Sequence, residues 1–510
     1  MGVRMFAAID VGSYMLNLKI YQFLPSHEMK VVDSVRYSMD LGTETYATGK
    51  LSAQKVGELC TVLKDFSDIM KSYGVVQYIA YGTSAIRETT NTAILLDLIE
   101  QRTGIRIGVL SNASQRFLTY KSVASLGQDF DETIARGSAI LDIGGGSIQF
   151  SLFEKEKLYA TQNMKLGVLR LYANLMKLST SHAKYETLLE EMITGPFSVF
   201  KKMYLKNDTV ENIIVVDDYV SRFLQSNVTD RIVSGVINKK HFTEFYNEFT
   251  SDSVGDLRQK YDLEENDFFK LYISAFIIQK SIELLNARMI WMPVATLCDG
   301  IAYEYGENHR LLQKTHNFEE DIIACAKNIS YRYMGNMNRA ETLEKIAMAI
   351  FDPLRKYSGL SNRDRLLLRI AAILHDCGKY ISLYNLGECS YHIILNTEII
   401  GLTYTERMIV ANVVKFNHME FEDYRTLRET CDLDEMDYLR ISKLTAILRI
   451  ANGLDRSHKQ KFRNIRVKIE ERNLIITVHT DEDITLEKGL LKERADFFEE
   501  VFYLKPVITQ

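Results

Sequence analysis

An apolar segment gives way to a glycine-rich turn in the stretch Ser138-Ala139-Ile140-Leu141-Asp142-Ile143-Gly144-Gly145-Gly146-Ser147-Ile148-Gln149-Phe150. The apolar run reaches Asp142, the turn contains three glycines and a serine, and alternating residues resume after it. This order predicts a strand, a tight turn and a second strand. Glycines there let backbone N–H groups approach a phosphate, and the aspartate can hold a metal ion or a water molecule. A lone glycine triplet is weak evidence, because most are ordinary turns.

The same pattern occurs a second time near the N-terminus, in Phe6-Ala7-Ala8-Ile9-Asp10-Val11-Gly12-Ser13-Tyr14-Met15-Leu16-Asn17-Leu18-Lys19-Ile20. An apolar strand leads to Asp10, a Gly-Ser turn follows, and a second strand begins. Two copies of this pattern predict two related lobes that face a cleft, each with one loop for a phosphate group.

Both turns resemble those of the Ppx/GppA family, the exopolyphosphatases and guanosine pentaphosphate phosphohydrolases. The family has the two-lobed fold of actin and the sugar kinases, and the resemblance runs nearly end to end. It implies an α/β fold with two actin-like (ASKHA) lobes, an all-helical HD-like domain and a small α/β C-terminal domain. The predicted boundaries are residues 1–125, 126–307, 308–458 and 459–510.

Composition places the chain among ordinary soluble globular proteins. Its 510 residues predict about three domains, with 46% hydrophobic and 25% charged residues. The six cysteines lie far apart without a CxxC pair, which indicates reduced thiols in the cytoplasm. No apolar run reaches membrane-spanning length, and a net charge of −5 argues against nucleic acid as a partner. The resemblance implies a homodimer.

The resemblance also implies a set of phosphate-binding residues. The family turn Asp-x-Gly-Ser-Asn-Ser is matched by Asp10, Gly12 and Ser13, whereas Tyr14 and Met15 replace its small polar pair. A Thr-Ser-Ala-x-Arg-Glu segment brings Arg87 either to the cleft or to the surface of a capped helix. The predicted set is Asp10, Gly12, Ser13, Arg87, Asp142, Gly144, Gly145, Gly146 and Ser147.

Three departures from the family affect catalysis. Where the family reads Ile-Ser-Gly-x-Glu-Glu-Ala, with the first glutamate as general base, this chain has Leu110-Ser111-Asn112-Ala113-Ser114-Gln115-Arg116. Ser114 and Gln115 therefore occupy the two carboxylate positions, and the catalytic residues are unknown. Gln149 replaces a glutamate after the second turn. In the position of a Gly-Gly-Thr turn, Asp217 and Asp218 would repel polyphosphate or, alternatively, bind a cation.

A second candidate site lies in the C-terminal half, where Leu374-His375-Asp376-Cys377 resembles the signature of HD-type domains. In such domains histidine and aspartate hold a divalent metal ion that activates water. The predicted ligands are His375, Asp376, His418 and Asp455. Arg339 and Cys389 stand where two further histidines are expected. Two interpretations follow: a structural domain or partial site, or a working metal centre.

Three hypotheses for the function follow. The first is a divergent exopolyphosphatase-like hydrolase that uses Mg²⁺ to remove the terminal phosphate of polyphosphate or guanosine pentaphosphate (pppGpp). The second is a catalytically silent homologue, a pseudoenzyme, that binds such phosphate compounds as a sensor. The third is a metal phosphohydrolase that works through the HD-like domain. The first has the widest family support, and the second has the stronger chemical argument.

Overall fold

The computed structural model describes residues 4–178, 184–205, 210–227, 232, 234–251, 254–462 and 464–509. The chain divides into two compact units, Met1–Asn317 and Phe318–Gln510. Within the described residues, every helix is too short or too polar to cross a membrane.

The first sheet has at its centre a strand that is buried from Phe6 to Val11. Its strands are β1 (Arg4–Val11), β2 (Met15–Phe23), β3 (Met29–Ser38), β4 (Gln77–Gly82) and β5 (Ile107–Val109), in the order β3-β2-β1-β4-β5. The associated helices are α1 (Gly42–Thr48), α2 (Ala53–Ser72), α3 (Ser84–Arg87), α4 (Thr92–Thr103), α5 (Asn112–Ala124) and α6 (Gln128–Ile134). Helix α2 buries Leu59, Leu63 and Phe66 against the sheet, because these residues recur on one helical face.

The second sheet has six strands in the order β10-β11-β9-β6-β7-β8. They are β6 (Ser138–Ile143), β7 (Ile148–Glu154), β8 (Lys157–Met164), β9 (Asn212–Asp217), β10 (Val236–Asn238) and β11 (Met289–Trp291). Its helices are α7 (Val168–Lys177), α8 (Tyr185–Tyr204), α9 (Val220–Asn227), α10 (Lys239–Ser251), α11 (Val254–Tyr261), α12 (Glu265–Leu285) and α13 (Leu297–Asn308).

The two sheets repeat one topology. The order β8-β7-β6-β9-β11 reproduces β3-β2-β1-β4-β5, and in both sheets the first three strands pair antiparallel and the next two parallel. The register matches as well, since Asp10 lies opposite Asn17 and Asp142 lies opposite Gln149. The two sequence copies therefore occupy equivalent positions, each turn leaving the end of a central strand.

Helix α13 packs on the first sheet although it follows the second sheet in the chain. Its residues Cys298, Ile301 and Ala302 are buried with Phe6 and Tyr21 in one apolar cluster. The helix thereby connects the two halves of the first unit.

The second unit is mainly helical and carries a small sheet. Its helices are α14 (Phe318–Arg332), α15 (Met337–Ser358), α16 (Asn362–Leu374), a 3₁₀ helix (Cys377–Tyr380), α17 (Leu386–Asn396), α18 (Tyr404–His418), α19 (Tyr424–Thr430), α20 (Glu435–Leu454) and α21 (Thr485–Phe502). The sheet has the order β12-β13-β14, with strands β12 (Asn464–Glu470), β13 (Asn473–His479) and β14 (Lys505–Thr509).

Candidate functional site

The two glycine turns meet at a cleft between the two sheets of the first unit. The cleft contains an open cavity of about 70 Å³. The predicted phosphate-binding residues that line it are Asp10, Gly12, Ser13, Asp142, Gly144, Gly145 and Gly146. Arg87 and Ser147 are described by the structure but are not part of this lining.

The two turns have the same hydrogen-bond geometry. The N–H of Gly12 donates to the Met15 carbonyl at 3.0 Å, and the N–H of Gly144 donates to the Ser147 carbonyl at 3.0 Å. A Cβ on Gly12 would lie 2.6 Å from the Met15 carbonyl oxygen, so the first turn requires glycine. Each turn thus has the tight, glycine-dependent backbone that a phosphate-binding loop needs.

The two turns also touch each other. The Ser13 hydroxyl lies 2.9 Å from the Tyr46 hydroxyl and 2.8 Å from the Ser84 hydroxyl, so it is already hydrogen-bonded within its own lobe. A Cβ on Gly145 would lie 3.0 Å from Ser13 Cβ, and a Cβ on Gly146 would lie 2.7 Å from the Tyr46 hydroxyl. Glycine is needed here because the loops approach so closely.

Arg87 is directed to the start of helix α5. Its guanidinium donates to the Leu110 carbonyl at 2.6 Å and to the Asn112 side-chain oxygen at 2.5 Å. Arg87 thus holds the segment that contains the expected catalytic positions. Thr83 precedes helix α3 without a side-chain capping bond, so the capped-helix interpretation of this segment was wrong in that detail.

The positions of the expected carboxylates lie in the first turn of α5. Ser111 caps the helix by accepting from the Ser114 N–H at 3.1 Å, and the Ser114 hydroxyl lies 2.8 Å from the Ser111 hydroxyl. Gln115 lines the cavity, whereas Ser114 does not. Of the two replaced residues, only Gln115 is therefore placed to meet a ligand.

Arg116 is the residue that the sequence reasoning missed. Its side chain is 3% exposed, and Nη1 lies 2.5 Å from Oδ2 of Asp142. Nη2 donates to the Ser147 carbonyl at 3.1 Å and to the Ser147 hydroxyl at 2.7 Å. The signal was present in the sequence, since the family motif has alanine where this chain has Arg116. A fixed positive charge thus lies against the second glycine turn.

Asp10 is a buried carboxylate with an unusual protonation equilibrium. Burial, with the nearby charges of Asp218 and Asp142, raises the pKa of Asp10 from 3.8 to about 7, although the Asn17 amide opposes this. Oδ2 accepts from Asn17 at 3.2 Å, whereas Oδ1 is buried without a hydrogen-bond partner among the described residues. Asp10 therefore has one oxygen available to a ligand or a water molecule.

Asp217 has a structural role. Its carboxylate caps helix α9 by accepting from the backbone N–H groups of Tyr219, Val220 and Ser221 at 3.1, 2.6 and 2.9 Å. The Ser274 hydroxyl donates to the same carboxylate at 3.0 Å. Because these donors engage it, Asp217 is not a free carboxylate for a cation, as one alternative from the sequence supposed.

Aromatic side chains fill part of the cleft beside the first turn. The rings of Tyr14 and Tyr219 lie 5.1 Å apart, and both residues line the cavity. The Tyr14 hydroxyl donates to Asp267 at 2.8 Å, and Nζ of Lys270 lies 4.4 Å from the Tyr14 ring centre. The bulky residue that replaces the family's small polar one thus joins the two lobes and narrows the cleft.

A further arginine, Arg170, connects the two lobes. Arg170 donates from Nε to the Gly146 carbonyl at 2.9 Å and from Nη2 to Glu88 at 2.7 Å. Its guanidinium also lies 4.8 Å from the Tyr46 ring centre. The contacts with Glu88 and Tyr46 join the second lobe to the first.

Comparisons with known proteins agree with this geometry. A model of the Ppx/GppA phosphatase family matches residues 20–251, and a model of Ppx/GppA phosphatase domain III matches residues 323–496. The chain belongs to the Ppx/GppA family. The second match lies within the second unit, where the sequence predicted an HD-like domain, and describes it as domain III of these phosphatases.

Relatives of this Ppx/GppA protein include exopolyphosphatases and guanosine-5'-triphosphate,3'-diphosphate pyrophosphatases. Exopolyphosphatase 1 of Mycobacterium leprae is 27% identical over 164 residues, which span 32% of this chain and 47% of that protein. The guanosine-5'-triphosphate,3'-diphosphate pyrophosphatase of Vibrio atlanticus is 20% identical over 87% of this chain and 86% of its own length. The match to the mycobacterial relatives thus spans about half of their length.

A solved structure supports the fold. The crystal structure of an exopolyphosphatase from Cytophaga hutchinsonii aligns with a TM-score of 0.53 at 17% identity, covering 61% of this chain and all of that chain. At this identity the likeness concerns the fold alone, and it agrees with the two repeated sheets of the first unit.

The predicted metal ligands of the second unit surround an arginine. Arg339 is 3% exposed; its Nε lies 3.4 Å from Oδ2 of Asp455, and Nη2 donates to Asn452 at 2.7 Å. Burial lowers the pKa of Arg339, against the charges of Asp455 and Asp376. A guanidinium therefore occupies the neighbourhood in which the sequence predicted a divalent metal.

His375 and His418, beside Arg339, are neutral, and each donates one hydrogen bond to a backbone carbonyl. Burial lowers the pKa of His375 to about 3 and that of His418 to about 4. Nδ1 of His375 donates to the Ala372 carbonyl at 2.9 Å, and Nε2 of His418 donates to the His375 carbonyl at 2.8 Å. Within the described part of the chain, no three His, Cys, Asp or Glu residues lie close enough together to hold a metal ion. A metal role for His375, Asp376, His418 and Asp455 therefore stays a prediction. Nε2 of His375 and Oδ1 of Asp376 are buried without a hydrogen-bond partner among the described residues.

The cleft fits magnesium only in a limited way. The ion prefers oxygen ligands and is often held by one or two carboxylates together with substrate phosphates. Asp142 is already paired with Arg116, whereas Oδ1 of Asp10 is buried without a hydrogen-bond partner in the described residues. Magnesium would therefore have to arrive with the phosphate chain, and Asp10 and Asp218 are the carboxylates of the lining that could meet it.

Proposed function

We propose that this protein binds the phosphate end of polyphosphate or of a guanosine polyphosphate in the cleft and releases little phosphate from it. Such a protein acts as a sensor of phosphate compounds rather than as an efficient hydrolase. The observation that carries the proposal is the buried ion pair of Arg116 and Asp142, 2.5 Å long, with Gln115 on the same helix. A neutral amide and a neutralised carboxylate thus occupy two positions where hydrolysis needs negative charge.

The chemistry of phosphoryl transfer supports this assignment. The reaction depends on positioning, on charge neutralisation and on a group that activates the attacking water. Glutamine donates and accepts hydrogen bonds but does not take a proton from water at neutral pH. Gln115 can therefore orient a water molecule without activating it. Magnesium that arrives with the phosphate chain of the ligand would neutralise part of the negative charge of the phosphates.

Parallel binding and turnover measurements test the proposal. With Mg²⁺ and either polyphosphate or pppGpp, we expect the melting temperature to rise while phosphate release stays near the background without protein. Gln115→Glu returns a carboxylate to the cleft and should increase release, whereas Gln54→Glu, at an exposed position of α2, should not. Rapid release by the unmodified protein, abolished by Asp142→Ala, would contradict the silent assignment.

A weak hydrolase is the second candidate, and Asp10 favours it. The carboxylate lines the cleft, its Oδ1 has no hydrogen-bond partner among the described residues, and burial raises its pKa to about 7. A base of this pKa is well matched to neutral pH. Any release should then increase as the pH rises through about 7, because Asp10 must lose its proton, and Asp10→Asn should abolish it. Release that is unchanged in this variant would exclude Asp10 as the base.

A further inference from the structure

The guanidinium of Arg116 is placed as a cation would be in a phosphate site. It lies in contact with the second glycine turn, since a Cβ on Gly144 would be 3.5 Å from Nη2. The same group is paired with Asp142, the carboxylate at the end of the central strand. Arg116 thus connects the turn that offers backbone N–H groups with the residue that the family resemblance assigns to phosphate binding.

Arg116 also has an unused donor. Its Nε is buried and makes no hydrogen bond to the described residues, whereas Nη1 is engaged by Asp142 at 2.5 Å. Leaving buried donors of a charged group unsatisfied is costly, so an acceptor is expected there. Phosphate oxygens suit a guanidinium, which presents several donors in a planar fork and keeps its charge at all physiological pH values. Arg116 lines the cavity, so a phosphoryl group there can reach it.

From these contacts we infer that Arg116 takes the place of a divalent cation, so that the cleft binds a terminal phosphoryl group without metal. The inference rests on the proposed function for the ligand class, and it adds the group that recognises the ligand. The N–H groups of Gly145 and Gly146, which donate to no backbone carbonyl in the described chain, complete the set of donors.

Calorimetric titration with inorganic tripolyphosphate tests the inference, once in excess EDTA and once in excess MgCl₂. We expect the dissociation constant in EDTA to be no weaker than in MgCl₂. The paired substitution Arg116→Met with Asp142→Asn removes both charges without leaving a carboxylate unpaired. It should weaken binding in EDTA on the order of 10- to 100-fold, as for lost hydrogen bonds to a charged group. Arg116→Lys keeps the charge but not the fork and should be intermediate.

Arg106→Met is the matched control, because Arg106 lies exposed in the same unit. Circular dichroism melts confirm that each variant is folded. Binding that requires MgCl₂ would overturn the role of Arg116 but leave the proposed phosphate sensor intact. Binding in EDTA that survives the paired Arg116→Met and Asp142→Asn substitution would have the same meaning. No binding under either condition would refute both. Rapid phosphate release, with metal-free binding still dependent on Arg116, would refute only the silent assignment.

Discussion

The raised pKa of Asp10 predicts a specific pH dependence of stability. The folded carboxyl group keeps its proton up to about pH 7, whereas the unfolded one loses it near the ordinary value of 3.8. Between these two values the unfolded state binds fewer protons, so stability falls as the pH rises. Asp10→Asn removes the titration and keeps a polar side chain beside the Asn17 amide, which donates to Asp10 at 3.2 Å.

The size of the effect follows from the shift. Each pKa unit corresponds to about 1.4 kcal/mol, so a shift of about three units costs about 4 kcal/mol above pH 7. At about pH 5 the cost is about 2 kcal/mol, because only part of the titration is complete there. Asp10→Asn should therefore be more stable than the unmodified protein, and its advantage should grow by about 2 to 3 kcal/mol from about pH 5 to about pH 8.

Urea denaturation in EDTA at the two pH values measures this difference. The single tryptophan of the chain, Trp291, is buried in the second sheet and reports on the first unit by fluorescence. Asp68→Asn is the control: Asp68 is exposed, its ion pair with Lys71 lies at the surface, and little change is expected at either pH. An advantage of Asp10→Asn that is equal at both pH values would refute the raised pKa.

Two further substitutions test the packing of each unit. Arg339→Ala leaves the buried Asp455 without its partner and should destabilise the second unit by about 3–5 kcal/mol in denaturant titrations. Arg365→Ala is the control, because its ion pair with Asp352 is more exposed, and it should lower the free energy of unfolding by less than about 1 kcal/mol. Equal losses would mean that the Arg339 ion pair carries no special weight. Gly300→Ala places a Cβ 1.9 Å from the Leu118 carbonyl oxygen and should lower stability by about 1–3 kcal/mol or more, whereas Gly57→Ala meets no atom within 4 Å and should be neutral or stabilising. A neutral Gly300→Ala would contradict the close approach of α13 and α5.

The repeated sheets could be predicted because their signals are local. Each central strand is a short apolar run that ends in an aspartate, and each glycine turn closes with the same hydrogen bond at 3.0 Å. Strand, turn and strand are neighbours in the chain, so neither prediction required knowledge of distant contacts. The pairing of Asp10 with Asn17 and of Asp142 with Gln149 follows from the register of each hairpin.

The contents of the cleft could not be predicted in the same way. Arg116 meets Asp142 across 26 positions in the chain, and Tyr14 meets Asp267 across more than two hundred. Helical periodicity assigns Arg116 to a face of α5 but says nothing of what that face meets. Asp217 looked like an obstacle to phosphate because its partners, the N–H groups of helix α9, appear only once the chain is folded.

Both candidate metal sites contain a buried arginine beside an aspartate, and this changes how the retained carboxylates should be interpreted. An isolated buried carboxylate is costly, and a divalent ion is one way to offset its charge. Arg116 beside Asp142 and Arg339 beside Asp455 offset it from within the chain. A guanidinium cannot be lost to dilution or chelation, and it does not activate water as a metal ion does. Asp142 and Asp455 are therefore weak evidence for metal-dependent hydrolysis here, because each already has an arginine that stabilises its charge and does not activate water.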